Sequence, residues 1–194
     1  MAQIKASFPV FAPCADGTGE SCKAYSKGVV LGKFMSVEIK PSYTDATLYG
    51  DDGVAENGKE FKEADVSLET TFLPVAADKE LFGNTVSGEP GMEEVISKVD
   101  DEPKYGGFGH VSVHKENGVS KYCMTWLHKV KFTPPSEKST TKGENITYNT
   151  PTIEGKAYAD EDGQWRTKKY FKSAQEAIDA LKTKAGLTVV LKTE

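Results

Sequence analysis

Apolar and polar residues alternate along much of this chain with the two-residue period of half-buried β-strands. The clearest case is 61–72, FKEADVSLETTF. Ala64, Val66, Leu68 and Phe72 fall on one face, and Glu63, Asp65, Ser67, Glu69 and Thr71 on the other. The run 33–40, KFMSVEIK, sets Met35, Val37 and Ile39 against Ser36, Glu38 and Lys40. Between these strands, 41–60 is rich in Gly, Asp and Asn, with turn dipeptides at Asp52-Gly53 and Asn57-Gly58. It is too long for a tight turn and reads as a long surface loop of the kind that carries function.

The segment 104–132 predicts a hairpin. Asn117-Gly118 suits a type I′ turn, which needs positive φ at both central residues. That turn sets Glu116 opposite Val119, His114 opposite Lys121, Val113 opposite Tyr122, Val111 opposite Met124 and Gly109 opposite Trp126. Directly opposed residues share a face, so Val111, Val113, Tyr122, Met124 and Trp126 form the hairpin's core side. The other face is the more polar one. It carries His110 and His114, about 13 Å apart at the strand rise, and the second strand presents Lys121, Lys129 and Lys131 away from the acidic face of 61–72. His128 points to the apolar side and reads as a satisfied core or interface histidine. All three histidines lie in this segment, and the register disperses them. Zinc ligands must converge at about 2 Å from one atom, so no metal site is expected.

Two helices are expected. In 73–83, LPVAADKELFG, Pro74 suits the first turn and Gly83 the stop. The longer one spans 174–185. Ser173 is a good N-cap and Glu176 completes a capping box. Ala174, Ala177, Ile178, Leu181 and Ala185 make one core stripe, and Gly186 ends the helix. The region 84–101 reads mostly as loop, and 134–144 has no apolar anchor and reads as a mobile loop. Short strands are expected in 145–151, 152–160 and 164–171, and 187–194 is a final strand or tail.

The totals fit one soluble globular domain: 194 residues, 38% hydrophobic, 27% charged. The net charge of −5 argues against a surface that grips nucleic-acid phosphates. The start has no basic segment followed by a long apolar one, so neither a signal peptide nor a membrane span is expected. Cys14, Cys22 and Cys123 are odd in number and lack CxxC spacing, which reads as free thiols in a reducing compartment. No catalytic pattern emerges. There is no G-x-S-x-G, ADGTGE lacks the lysine of a P-loop, and Asp51-Asp52 is not followed by an EF-hand pattern. Glu63, Asp65 and Glu69 on an exposed strand would be solvated and unshifted, whereas acid–base catalysis needs shifted groups. The chain is expected not to be an enzyme and to need no cofactor.

Several segments, in order, carry a family likeness: TLYGDDGVAENGKEF, LPVAADKELFG, GGFGHVSVHKENGVSKYCMTWLHKVKF, PSEKSTTKGENITYNTPTIEGKAY and DGQWRTKKYFKSAQEAIDAL. Together they resemble the major tail proteins (tail tube proteins) of long, non-contractile-tailed phages of Gram-positive hosts. The likeness covers 29–186 as the main domain. Residues 1–28, an N-terminal arm or first strand region, and the tail 187–194 depart from it. The resemblance implies a mainly β fold, an antiparallel β-sandwich of tail-tube type with a short central helix and a C-terminal α-helix. It further implies homohexameric rings stacked into a tube that conducts genomic DNA without specific binding. A tape measure protein would fill the tube during assembly, and tail terminator and baseplate or distal tail proteins would close its ends. The protein would be made in the host cytoplasm and reside in the virion, with no membrane contact. On that fold Glu38, Glu63, Asp65 and Glu69 would line the lumen and repel phosphate. The 41–60 loop, with Tyr43, Leu48, Tyr49, Asp51 and Asp52, would stack ring on ring. Two other readings stay open: a monomeric β-sandwich binding module for tail decoration or host-surface recognition, and an enzyme whose site is unrecognised.

Overall fold

The computed structural model of the chain describes residues 2–17, 19, 21–50, 53–89, 91–136 and 150–187, with backbone alone for 2–4, 46–50 and 53–57. The protein is mainly β. The strands are β1 (Ala2–Pro13), β2 (Val29–Val30), β3 (Phe34–Gly50), β4 (Gly53–Thr70), β5 (Thr85–Ser87), β6 (Glu94–Ile96), β7 (Tyr105–Glu116), β8 (Val119–Thr133), β9 (Thr152–Tyr158) and β10 (Arg166–Phe171). Two helices, α1 (Val75–Phe82) and α2 (Ala174–Lys184), complete it. Eight strands make one antiparallel sheet in the order β2-β1-β7-β8-β9-β4-β3, with β10 added to β8. β5 and β6 make a separate small sheet. β1, from the N-terminal 28 residues, is a full member of the large sheet and pairs with β7.

The β7–β8 hairpin has the register that the Asn117-Gly118 turn predicts, from Glu116↔Val119 through Val111↔Met124 to Gly109↔Trp126. Both turn residues have positive φ, 50° and 83°. Beyond Trp126 the ladder carries an irregularity. Phe108 pairs with Leu127 but Gly106 with Val130, so β8 holds one extra residue, a β-bulge. The bulge reverses which side chains face in. Leu127 is buried before it, Val130 and Phe132 after it. The first half of β8 pairs with β10 and the second with β9.

Two apolar clusters hold the sheet. On one face Val10, Ala12, Val111, Met124 and Trp126 pack under Ala177, Leu181 and Ala185 of the α2 region. Trp126 reaches this position because Gly107 and Gly109 carry no Cβ, which would collide with the indole. On the other face Phe11, Phe108, Leu127, Val130 and Phe132 meet Val66 and Leu68 of β4, Ile153 of β9, and Leu81 and Phe82 of α1. β3 and β4 thus curl back over β7, and the ring of Phe34 lies against that of His110, centroids 5.8 Å apart.

α2 starts where the sequence predicts. The Ser173 hydroxyl accepts the Glu176 N–H at 3.2 Å. At its end Leu187 N–H donates to Lys182 C=O and Gly186 N–H to Thr183 C=O, a Schellman stop with Gly186 at φ 65°. α1 begins after Pro74 and stops at left-handed Gly83.

Several expectations need correction. The 41–60 stretch is not a loop. β3 and β4 continue as a ladder to Gly50↔Gly53, and Asn57-Gly58 lies inside β4 opposite Thr47 and Ala46. Ladder hydrogen bonds to a facing strand outweigh the local turn preference of an Asn-Gly pair. The register shift between Phe34 and Ser36 turns Phe34 inward, leaving Met35 47% exposed. Phe72 lies beyond the end of β4 and is exposed, away from Ala64, Val66 and Leu68. Cys14 and Cys22 are not free thiols. They form a disulfide with Cα atoms 5.0 Å apart, because the Asp16 carboxylate accepts the Gly19 and Ser21 N–H groups and folds the intervening turn back. Cys123 is free and buried. The region 84–101 includes the short strands β5 and β6. The loop expected in 134–144 and the strand in 145–151 lie mostly in 137–149, and the final strand in 188–194; both stretches are outside the described residues.

Candidate functional site

Glu63, Asp65 and Glu69 alternate along β4 and point away from Ala64, Val66 and Leu68, whose burial fixes the strand's inner face. Glu38 and Lys40 of β3 stand opposite Ser67 and Asp65. From the other side β9 places Lys156 opposite Asp65 and Glu154 opposite Ser67. The four acids identified in the sequence therefore do share a face. The same face also carries lysines that the sequence reading placed elsewhere. The β8 bulge brings Lys131 opposite Lys156 and Lys129 opposite Tyr158, and both ammonium groups sit about 5 Å from the Tyr105 ring.

Lys156 and Lys40 pair with the acids. Lys156 Nζ lies 2.6 Å from Glu63 and 3.9 Å from Asp65, and Lys40 lies 3.0 Å from Glu38. The Lys156 hydrogen bond holds the Glu63 carboxyl below the usual carboxylate range and raises the Lys156 ammonium above its own. Glu69 accepts from the Ser36 hydroxyl at 3.1 Å and from Thr150 at 2.9 Å. A cleft of about 560 Å³ runs across this face between Glu38, Lys40, Asp65, Lys131, Glu154 and Lys156. Five carboxylates (Glu38, Glu63, Asp65, Glu69, Glu154) thus meet four ammoniums (Lys40, Lys129, Lys131, Lys156). The surface is mixed and slightly acidic, rather than an acidic sheet.

The second feature is the far end of the β3–β4 hairpin. β9 covers β4 only over Ala64–Glu69. Beyond it, Tyr43 to Gly50 pair with Gly53 to Phe61 and with no other strand among the described residues. Eight residues at about 3.3 Å each give an arm of about 25 Å. Its base is an aromatic stack. Tyr43 meets Phe61 edge-on at 6.0 Å, and Phe61 stacks on Trp165 at 4.6 Å. Residues 41–45 and 58–60 are exposed. Leu48 and Tyr49 lie on the arm near Gly50, as backbone positions, and Asp51 and Asp52 are outside the described residues.

On the β7–β8 hairpin Val111, Met124 and Trp126 are buried beneath α2, and Val113 and Tyr122 near the turn are half-buried. The polar face of the hairpin is buried as well, since β3 curls over it. His110, Ser112, Cys123 and Thr125 are all under 6% exposed. His110 and His114 share that face and line a small cleft of about 180 Å³ with Arg166 and Lys168 of β10. Burial, with the Lys168 and His114 charges beside it, lowers His110 to a pKa of about 4, so its imidazole is neutral. Its Nδ1 has no hydrogen-bond partner among the described residues.

His128 is satisfied in a way the sequence does not reveal. Its Nδ1 lies 2.9 Å from the Asp160 carboxylate and its Nε2 2.7 Å from the Thr167 hydroxyl. Tyr25 O–H donates to its carbonyl at 2.8 Å, and burial pushes the Tyr25 phenol up to about 12. The Asp–His–hydroxyl order resembles a nucleophilic triad. Thr167, however, sits mid-strand opposite the buried Trp126, and neither cleft reaches it. A nucleophile needs room for an incoming carbonyl within about 3 Å, so these bonds tie β8, β10 and the 159–165 turn together. Among the described residues no cluster of three or more His, Cys, Asp or Glu is placed to hold a metal ion, and no helix is long and apolar enough to cross a membrane. A scan of the chain against protein-family models finds no match, and comparison with curated proteins finds none either.

Proposed function

We propose that the chain is a structural subunit that assembles with copies of itself into hexameric rings, which stack as the tail tube of a long, non-contractile phage tail. The observation that carries this reading is the β3–β4 arm. An isolated two-stranded hairpin is marginal in water, and this one continues for about 25 Å past its last neighbouring strand among the described residues. Such an arm needs a surface to lie on, and a neighbouring ring supplies one. The unpaired outer edges of β3 and β10 among the described residues support the same reading. Open edges invite association, and closing them between subunits removes the hazard.

In this reading the curled sheet is a tail-tube β-sandwich, and the mixed face of β3, β4, β9 and the second half of β8 lines the lumen. It holds no basic excess, and Lys40 and Lys156 are engaged by carboxylates. Phosphate neutralisation by free Lys or Arg drives non-specific DNA binding, so a face of this kind lets a duplex slide. The subunit has a conduit role and no catalytic one. It resides in the virion after synthesis in the host cytoplasm, and meets a tape measure protein inside the tube and terminator and distal tail proteins at its ends.

The test is to shorten the arm. Replacing 45–59 by Asn-Gly between Thr44 and Glu60 leaves the body's strands intact. The shortened chain should keep its fold by circular dichroism and form rings without tubes. Tubes of normal length from the shortened chain would refute the stacking role of the arm.

A further inference from the structure

The small sheet β5–β6 and its flanks carry an unusual surface. Residues 85–102 hold six carboxylates (Glu89, Glu93, Glu94, Asp100, Asp101, Glu102) against one cation, Lys98. They also expose large apolar side chains. Met92 is 83% exposed, Val99 fully so, and Val95 and Ile96 about 40%. An acidic segment that presents Met, Val and Ile to solvent marks an interaction surface more than a solvated loop. Its backbone is also under-paired. β5 and β6 share three residue pairs, and neither pairs with another strand among the described residues.

The complement stands on a different element of the same molecule, β10. Residues 166–172 hold Arg166, Lys168, Lys169 and Lys172 with no acid. β10 bonds only β8 and leaves its outer edge open among the described residues. Tyr170 on this strand is 49% exposed and gives an apolar contact. Arg166 and Lys168 also rim the cleft floored by His110, Ser112 and Thr125, which leaves space beside the strand. In the five-strand path β2-β1-β7-β8-β10, β10 is one edge. α1, which leads directly into β5, packs on β1, β2 and β8.

We infer that β6 of one copy docks along the open edge of β10 of the next, with Glu94 and the flanking Glu89 and Glu93 on Arg166, Lys168 and Lys169 and with Val95 and Ile96 beside Tyr170. The inference rests on the self-assembly reading and names the two surfaces that join neighbours within a ring. Complementary charge favours and orients such a contact, and strand addition satisfies two unpaired edges at once. Because donor and acceptor surfaces differ, the contact is head-to-tail. Head-to-tail contacts propagate instead of stopping at a dimer, and they close into a ring where the rotation per copy closes.

The experiment is a charge swap in the full chain. One variant carries E89K, E93K and E94K, which leaves three acids against four cations in 85–102 and makes the chain basic on both surfaces. A second carries R166E, K168E and K169E, which leaves three acids against one cation in 166–172 and makes the chain acidic on both. All six sites are exposed, and circular dichroism and thermal melts confirm that each variant folds. Assembly is read by sedimentation velocity and negative-stain microscopy against the wild type. Each variant alone should need at least about tenfold more protein to assemble, since like charges now face each other across the joint. An equimolar mixture of the two should assemble as the wild type does, and raised salt should weaken the wild type. If the wild type forms rings and the single variants form them equally well, this inference is wrong while the tube reading stands. If the charge-dependent association occurs but yields open chains without rings, the joint is right and the tube reading fails. A wild type that stays monomeric at every concentration overturns both.

Discussion

Acidification should destabilise the fold through His110. Its side chain is 5% exposed, packed between Phe34 and Phe108, with the Lys168 and His114 charges beside it. These hold its folded pKa at about 4, against 6.5 for an ordinary histidine. Between those values the unfolded chain binds a proton that the folded chain refuses, so stability rises with pH across the window and falls on acidification. At about 1.4 kcal/mol per pH unit, the full gap corresponds to about 3 kcal/mol, and about 2 kcal/mol is already lost at pH 5. The full contribution is present above pH 6.5 and gone below pH 4. Urea unfolding followed by tryptophan fluorescence would measure it, at a concentration where the chain is monomeric, between pH 7.5 and 5. H110L removes the titration and keeps an apolar body of similar size. The wild type should lose about 2 kcal/mol more than H110L over this range, with unchanged m-values. The losses at the carboxylates, and at His128, which burial also holds below the ordinary histidine range, occur in both chains and cancel. K168Q should shallow the wild-type slope, since a cation that opposes protonation is gone. Parallel curves for wild type and H110L, within about 0.5 kcal/mol, would refute the assignment of the acid sensitivity to His110.

Three further substitutions test the packing. G107A places a Cβ against the Trp126 indole and should cost about 1–3 kcal/mol or more in chemical denaturation, since the buried ring has nowhere to move. C14S removes the disulfide to Cys22, a link across eight residues, and should cost about 2–3 kcal/mol, with the wild type matching it once a reductant is added. S173A deletes the cap on α2 and should lower stability by about 1 kcal/mol without altering assembly.

Much of the local structure is legible in the sequence, because local rules decide it. Asn117-Gly118 sets the register of β7 on β8 through its own backbone angles, and Ser173 and Gly186 bound α2 through bonds within a few residues. The alternation of 61–69 marks the outward-facing acids of β4 because Ala64, Val66 and Leu68 must be buried. What escapes the sequence depends on distant partners. Asn57-Gly58 has the composition of a turn, yet Thr47 and Ala46 across the ladder hold it in a strand. The extra residue between Leu127 and Val130 has no local signature. It nevertheless moves Lys131 onto the acidic face and changes that face from acidic to nearly balanced. Asp160 and His128 are 32 positions apart and meet only because β10 returns along β8. Cys14 and Cys22 pair because Asp16 folds the turn between them, which cysteine spacing alone does not reveal.

The central claim is that this chain builds tubes from copies of itself. Light scattering after size exclusion across a concentration series, with negative-stain microscopy of the largest species, tests it most directly. The account predicts hexameric rings or hollow tubes whose population grows with concentration. A monomer at every concentration, with no rings or tubes even when tail-initiation proteins are added, would contradict it and favour a monomeric binding module.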